Sequence, residues 1–153
     1  GIFVLCGLRP NPFESRPVKI LAVEDDPVAL AVLRQALRRL GHDCVEASDG
    51  QAAWERLQTE PVRVVVSDWL MPRVDGLSLL RQMKADPELR TIPVVMLTSS
   101  REESDLVQSY HAGVNAYVVK PVDFQQYFEA VKKLGQFWAH INEPPPVRIR
   151  PAA

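Results

Sequence analysis

The sequence has few of the residues on which secreted, nucleic-acid-binding and membrane proteins depend. Only two cysteines, Cys6 and Cys44, occur in 153 residues, too few for the disulfide framework of a small secreted domain. Lys and Arg number 18 against 19 Asp and Glu, so no positive excess is available for nucleic-acid phosphates or anionic lipids. No run approaches the ~20 apolar residues that cross a bilayer. We therefore expect a cytoplasmic protein with unpaired cysteines that binds neither nucleic acid nor membrane directly.

Proline placement predicts the limits of the folded part, because proline removes a backbone donor and ends regular structure. Prolines outside the central region are Pro10, Pro12, Pro17, Pro144, Pro145, Pro146 and Pro151. We predict a disordered extension over residues 1–17 and one folded domain over residues 18–134. Residues 135–153 are expected to extend the last helix and then form a proline-rich tail. The first residue is Gly rather than Met, which we interpret as a sign of processing or of a fragment.

Five short apolar runs alternate with longer segments of helical period. The runs are VKILAV, DCVEA, VRVVVS, IPVVMLT and NAYVVK. All but the second are nearly continuous in apolar residues, as strands covered on both faces require. The segments between them repeat apolar residues at helical spacing, as Leu30, Leu33 and Leu37 do before Gly41. The alternation predicts an α/β fold with a parallel sheet and helices on both faces.

Polar and charged residues follow four of the five predicted strands. In open α/β sheets, ligands bind at the carboxyl ends of the strands, so these residues are candidates for one site. They are Glu24, Asp25 and Asp26 after the first strand, Asp68 after the third, Thr98 and Ser99 after the fourth, and Lys120 after the fifth. Asp26 precedes Pro27 and fits an ordinary helix N-cap.

The charges of this group indicate a divalent cation. Glu24, Asp25 and Asp68 supply three negative charges, and Lys120 returns one positive charge. The candidate ligands are all oxygens, which favours a hard ion such as Mg²⁺. Beside such an ion and a lysine, Asp68 could attack a phosphorus centre and become an aspartyl phosphate.

Four segments in this order resemble the receiver domain of two-component response regulators. They are ILAVEDD, VVVSDWLMPRVDG, VVMLTSS and AYVVKP, and the resemblance extends from Val18 to Leu134. Each motif alone is weakly specific, whereas four in register with five strand–helix units are strongly specific. The resemblance implies a flavodoxin-like, doubly wound fold with five helices and strand order 2-1-3-4-5, in which the first and third strands are neighbours.

The resemblance also implies roles for the charged residues at this edge. Asp68 would be the phosphoacceptor, and Lys120 would pair with the phosphoryl oxygen atoms. The ligands of Mg²⁺ would be Glu24, Asp25, Asp68 and the backbone carbonyl of Trp69. The domain would be a signalling receiver that assists its own phosphorylation and dephosphorylation rather than an enzyme with a separate substrate.

A conformational response is implied as well. A partner sensor histidine kinase would donate the phosphoryl group, the hydroxyl of Thr98 would move to bond it, and the switch aromatic Tyr117 would rotate inward. The surface of the fourth helix, fifth strand and fifth helix would then change shape. Pro121 matches a position where the family carries a cis peptide, so the bond between Lys120 and Pro121 is expected to be cis.

The C-terminal stretch VDFQQYFEAVKKLGQFW, followed by NEPPP, resembles stand-alone response regulators, among them those paired with phytochrome-type kinases. Exposed aromatic side chains beyond a domain edge are typical of an interface. We therefore expect Tyr127, Phe137 and Trp138 to line a partner surface or a homodimer formed through the fourth and fifth helices. The alternative is that these aromatics fold back on the domain as a cap.

Three other functions remain as alternatives. A phosphatase of the haloacid-dehalogenase type would need a second Asp two residues after the nucleophile, but Trp69 and Leu70 follow Asp68. A nucleotide- or flavin-binding module would need a glycine-rich turn after the first strand, where acidic residues stand instead. A receiver domain excised from a hybrid kinase or an effector-bearing regulator is compatible with the same motifs.

Overall fold

Five β-strands and five α-helices alternate in the computed structural model, which describes residues 17–68, 75–99 and 102–138. The strands are β1 (Lys19–Val23), β2 (Asp43–Ala47), β3 (Val64–Asp68), β4 (Val94–Thr98) and β5 (Ala116–Val119). The helices are α1 (Pro27–Arg39), α2 (Gly50–Thr59), α3 (Gly76–Ala85), α4 (Glu103–His111) and α5 (Phe124–Gln136). Residues 1–16 of the predicted N-terminal extension, Trp69 and residues 139–153 lie outside the described residues.

The strands form one parallel sheet in the order β2-β1-β3-β4-β5, which confirms the predicted fold and topology. Because β1 and β3 are neighbours, the residues that end them are brought together. Val23 pairs with Ser67, so Glu24 and Asp68 follow at the same level of the sheet. None of the helices among the described residues has the length and apolar content of a membrane span.

Helices cover the sheet on both faces and divide the core into two clusters. The α1/α5 cluster contains the strand residues Ile20, Ala22, Val64, Val66, Val95 and Leu97 with Leu33, Leu37, Tyr127 and Val131 from the helices. The α2/α3 cluster contains the strand residues Leu21, Val23, Val65, Val94 and Met96 with Ala53, Leu57, Leu80 and Met83 from the helices. Successive strand residues therefore alternate between the two clusters, as the pleat requires.

This alternation assigns the polar residues at the strand ends to different faces. Glu24, Asp68 and Lys120 stand two residues after Ala22, Val66 and Val118, which all lie on the α1/α5 side. Thr98 stands two residues after Met96 of the α2/α3 cluster, against which Tyr117 also packs. Asp68 and Thr98, the last residues of β3 and β4, therefore approach the carboxyl edge of the sheet from opposite faces.

Aspartates begin four of the helices. Asp26, Asp49, Asp75 and Asp123 each accept backbone N–H bonds in the first turn, as N-caps do. The Asp26 carboxylate accepts from Val28 at 2.9 Å, which confirms its prediction as an N-cap. Gly41 follows α1 with a φ of 85°, and this left-handed conformation ends the helix where the sequence predicts.

The end of α5 only partly matches the predicted interface. Tyr127 is 7% exposed and belongs to the α1/α5 cluster, so the expectation that it lines an open surface is wrong. Trp138 is half-buried against the same cluster, as the cap alternative predicts. Phe137 remains 46% exposed and meets Trp138 edge to face, with ring centroids 5.1 Å apart. The helical period places neighbouring residues about 100° apart, so Phe137 and Trp138 cannot both face the core.

Gly76 makes a close approach that only glycine permits. A Cβ at this position would lie well inside van der Waals contact with the backbone carbonyl oxygen of Asp68 and 3.0 Å from the Met96 sulfur. The first residue of α3 therefore packs directly against the last residue of β3. A side chain here would displace either the helix or Asp68.

We expect Gly76→Ala to lower the free energy of unfolding by roughly 1–3 kcal/mol through overpacking, although alanine has the higher helix propensity. Urea denaturation measures the loss, and the Asp68 amide resonance reports local displacement. Gly41→Ala is the control for local displacement: alanine is strained at its φ of 85° and also lowers stability, but nothing lies within 4 Å of the added methyl group. It should leave the Asp68 resonance in place, and an undisturbed Asp68 in Gly76→Ala would contradict the close approach.

Candidate functional site

Three carboxylates converge at the carboxyl edge of the sheet. Glu24, Asp25 and Asp68 each offer an oxygen, and these oxygens lie within 4.8 Å of one another. Glu24 is 2% exposed and Asp68 is 9% exposed, whereas Asp25 is exposed to solvent. The site therefore has an acidic floor of low accessibility and one solvent-facing acidic side chain.

Lys120 reaches this group from the carboxyl end of the edge strand β5. Its Nζ donates to Oε2 of Glu24 at 2.5 Å and lies 3.2 Å from Oδ1 of Asp68. Its backbone N–H donates to the Thr98 carbonyl at 2.6 Å, which fixes the chain beyond β5 against β4. One ammonium group thus bridges the two most buried acids.

Burial and charge shift the protonation equilibria of this pair. Burial raises the pKa of the Glu24 carboxyl, and the negative charge of Asp68 raises it further, whereas the hydrogen bond from Lys120 lowers it. Burial lowers the pKa of the Lys120 ammonium, but its hydrogen bond to Glu24 and the charges of both acids outweigh this effect and leave the pKa above its ordinary value. Lys120 is therefore a firmly held positive charge at neutral pH.

The donor set fits a hard divalent cation. The three carboxylates that lie within reach of one another are oxygen ligands only, and oxygen ligands in small number are typical of Mg²⁺ sites in proteins. Asp25 is solvent-facing, so an ion held here could keep water ligands. The predicted carbonyl ligand of Trp69 lies outside the described residues.

Thr98 and Tyr117 lie beside the acids on neighbouring strands. Thr98 is 1% exposed at the end of β4, one residue beyond Leu97, which pairs with Asp68. Tyr117 pairs with Met96 in β5 and packs, half-buried, against the α2/α3 cluster. The two side chains therefore share a sheet face and lie close in register, as a relay between them would need.

The expected cis peptide between Lys120 and Pro121 is wrong for this structure. All peptide bonds among the described residues are trans, including this one. Proline narrows the preference for trans to about 0.5–1 kcal/mol, so it permits the cis form without requiring it. The Lys120 side chain reaches both acids with the bond in the trans form.

Two residues beside the site carry features that the sequence does not reveal. Gly76 contacts the Asp68 carbonyl, but in the sequence it reads only as part of an Asp-Gly helix start. Tyr127 holds a buried hydroxyl without a hydrogen-bond partner, but its position in an apolar stripe reads only as core or interface. The signal that could have drawn attention to Tyr127 is a hydroxyl on a residue whose helical position predicts burial.

Comparison with known proteins identifies one family and several relatives of this chain. The family model described as response regulator receiver domain matches residues 20–132. A chemotaxis protein CheY homolog of Campylobacter jejuni is 37% identical over 106 residues, which are 68% of this chain and 82% of that protein.

Solved structures resemble it as well. The structure of the phosphorylated cyanobacterial phytochrome response regulator RcpA matches with a TM-score of 0.80 and 31% identity, covering 86% of this chain and all of that one. The bacteriophytochrome response regulator AtBRR is 47% identical with a TM-score of 0.62, covering 84% of this chain and 99% of that one.

The bridging role of Lys120 can be tested through stability. We expect Lys120→Met to lower the free energy of unfolding by roughly 3 kcal/mol in magnesium-free buffer, because two buried acids lose their shared cation. Added Mg²⁺ should restore more stability to this variant than to the unchanged chain, since a bound ion replaces the missing charge. Urea denaturation with and without MgCl₂ measures both effects.

Lys19→Met is the matched control. Lys19 pairs with Glu60 at 2.7 Å and with Asp43 at 3.7 Å, at the opposite end of β1. These ion pairs are more accessible to water than those of Lys120, and accessible pairs contribute little to stability. Lys19→Met should lower the free energy of unfolding by less than Lys120→Met does, and this decrease should not depend on Mg²⁺. Equal losses in the two variants would contradict the bridging role of Lys120.

Proposed function

The chain belongs to the response regulator receiver domain family, and from this membership we propose that a partner histidine kinase phosphorylates Asp68 to switch a protein-binding surface. As a CheY-like receiver, the chain is a signalling domain. The observation that carries the proposal is the convergence of Asp68 with two further acids and the Lys120 ammonium at the switch point of the sheet. This arrangement combines a nucleophile with the charges that phosphoryl transfer requires.

In the proposed reaction, an oxygen of Asp68 forms a bond to phosphorus. The bond between phosphorus and the histidine nitrogen of the kinase breaks, and its electron pair returns to that nitrogen. Lys120 neutralises negative charge on the transferring oxygens from its position 3.2 Å from Oδ1 of Asp68. When bound by Glu24, Asp25, Asp68 and the Trp69 carbonyl, Mg²⁺ would further stabilise that charge.

The phosphoryl group then changes the balance of contacts at the sheet edge. It adds roughly one to two negative charges at neutral pH, and these charges require new donors. We propose that Lys120 turns towards the phosphoryl oxygens and that the Thr98 hydroxyl donates to one of them. Tyr117 shares the sheet face of Thr98, so its ring would move into the space that Thr98 leaves.

The surface that responds is proposed to lie on α4, the segment after β5 and α5. Exposed apolar side chains gather there: Leu106, Val107, Tyr110, Val122 and Phe137. On α4 the buried residue is Ser109, and the larger apolar residues face solvent. We propose that this surface forms a homodimer in the phosphorylated state.

The partner kinase is proposed to be of the phytochrome type and to act in the cytoplasm. Two of the similar solved structures, RcpA and AtBRR, are phytochrome response regulators by description. The C-terminal aromatic extension independently resembles the same group. The haloacid-dehalogenase alternative gains nothing from the comparisons, since the matched family is the receiver domain.

Asp68→Asn should abolish labelling by a radioactive small-molecule phosphodonor or a cognate kinase, because an amide oxygen is a poor nucleophile. Asp26→Asn is the matched control, since it removes a neighbouring charge while asparagine caps a helix equally well. The control should retain labelling. Labelling of Asp68→Asn at the unchanged rate would refute the assignment.

Thr98→Ala should retain phosphorylation but lose the response of the surface, because Asp68 and Lys120 remain while the hydroxyl that follows the phosphoryl group is gone. Sedimentation with and without beryllofluoride and Mg²⁺ measures the response, and Thr59→Ala provides an exposed threonine control. We expect the unchanged chain and the control to dimerise on loading and Thr98→Ala to remain a monomer. Dimerisation of Thr98→Ala would contradict its role, and an unchanged chain that stays monomeric would contradict the dimer.

A further inference from the structure

A buried hydroxyl without a partner lies beneath the acidic site. Among the described residues, two buried side-chain polar atoms lack a hydrogen-bond partner, the hydroxyls of Ser109 and Tyr127. An unsatisfied buried hydroxyl destabilises a protein, and a phenylalanine would avoid the loss at Tyr127. A tyrosine here therefore suggests a use for the hydroxyl in another state of the molecule.

The position of Tyr127 defines what that use can be. Its backbone N–H donates to the Asp123 carbonyl at 2.9 Å in the first turn of α5, and its ring belongs to the α1/α5 cluster with Ala22 and Val66. Glu24 stands two residues after Ala22, and Asp68 stands two residues after Val66, so both acids follow on the same face of the sheet. Tyr127 therefore lies in the layer on which the buried acids and Lys120 also lie.

Electrostatics supports the same placement. Burial raises the pKa of the Tyr127 phenol, and the negative charges of Glu24, Asp68 and Asp26 raise it further. The phenol is therefore neutral at physiological pH and retains its proton for donation. Ser109 offers no comparable candidate, because it stands on α4, which contributes no side chain to the α1/α5 cluster.

We propose that Tyr127 is a positioning residue whose hydroxyl donates a hydrogen bond to Glu24 when Lys120 turns from Glu24 to the phosphoryl group on Asp68. This inference rests on the proposed function of Asp68. Before phosphorylation, Oε1 of Glu24 accepts from the Asp26 N–H at 3.2 Å and Oε2 accepts from Lys120. After it, Lys120 is drawn to the new charge. Glu24 would face Mg²⁺ in that state, but its Oε2 would have lost the protein donor that it has at rest, in a place where water has little access.

Tyr127 then replaces the donor that Glu24 has lost. A buried acceptor that loses a hydrogen-bond donor is destabilised, so the replacement stabilises the phosphorylated state relative to the resting state. The hydroxyl is idle in the resting state and engaged in the phosphorylated one. A hydroxyl with a merely structural role would show the opposite pattern, since its removal would weaken the resting fold.

The test compares the full chain with Tyr127→Phe, which keeps the ring and removes the hydroxyl. Tyr110→Phe is the control, because Tyr110 is exposed on α4. Beryllofluoride with Mg²⁺ is the probe of the loaded state. Titration measures its affinity, thermal unfolding measures resting stability, and NMR of chains labelled with ¹³C at tyrosine Cζ reports hydrogen bonding by each phenol, with Tyr127→Phe identifying its resonance.

We expect Tyr127→Phe to bind beryllofluoride roughly tenfold more weakly, as the loss of a hydrogen bond to a charged group implies. Its unloaded midpoint of thermal unfolding should equal or exceed that of the unchanged chain. The Tyr127 Cζ resonance should shift on loading, whereas the affinity of Tyr110→Phe should not change.

Unchanged affinity in Tyr127→Phe, a Tyr127 resonance that does not move on loading, or a lower unloaded midpoint would each overturn the inference. The first of these, in a chain that loads normally, would leave the proposed function of Asp68 intact. Failure of the unchanged chain to take up beryllofluoride would overturn the proposed function and this inference with it.

Discussion

The organisation of this protein depends on keeping buried carboxylates together without letting their repulsion open the sheet. Glu24 follows β1, Asp68 ends the neighbouring strand β3, and both are nearly inaccessible to water. Their negative charges are therefore close together and poorly screened by solvent. The Lys120 ammonium resolves this conflict by contacting both. β1 and β5 are separated by two further strands, a span of roughly 14 Å at ordinary strand spacing, which the long lysine stem helps to cover.

A resting state built in this way is prepared for chemistry. The positive charge that holds the two buried acids together also lies 3.2 Å from Oδ1 of Asp68. If the negative charge on Asp68 increases, Asp68 attracts the Lys120 ammonium more strongly. The contact between Lys120 and Glu24 is then weakened, because both acids share one ammonium group. The stability of the resting site and its responsiveness therefore arise from one shared cation.

Much of the fold and of the acidic site follows from the sequence, because strong patterns determine both. Continuous apolar runs identify the central strands, and the parallel topology places their carboxyl ends on one edge. The convergence of the acids that follow these runs can therefore be predicted from the sequence. The helical period likewise assigns Tyr127 to a face but does not say whether core or partner covers it. The Gly76 approach and the bridge between Lys120 and Glu24 are products of distant segments meeting in space, which no local pattern encodes.

The sheet also separates two kinds of work. Asp68 follows Val66 of the α1/α5 cluster by two residues, whereas Thr98 follows Met96 of the α2/α3 cluster by two residues, so the two residues approach the same edge of the sheet from its two faces. Because successive residues of a strand point to opposite faces, gain or loss of one residue within β3 or β4 would exchange these roles. Every residue of these two strands is buried, so a substitution that preserves apolar volume leaves the site in place, whereas a change in strand length moves it.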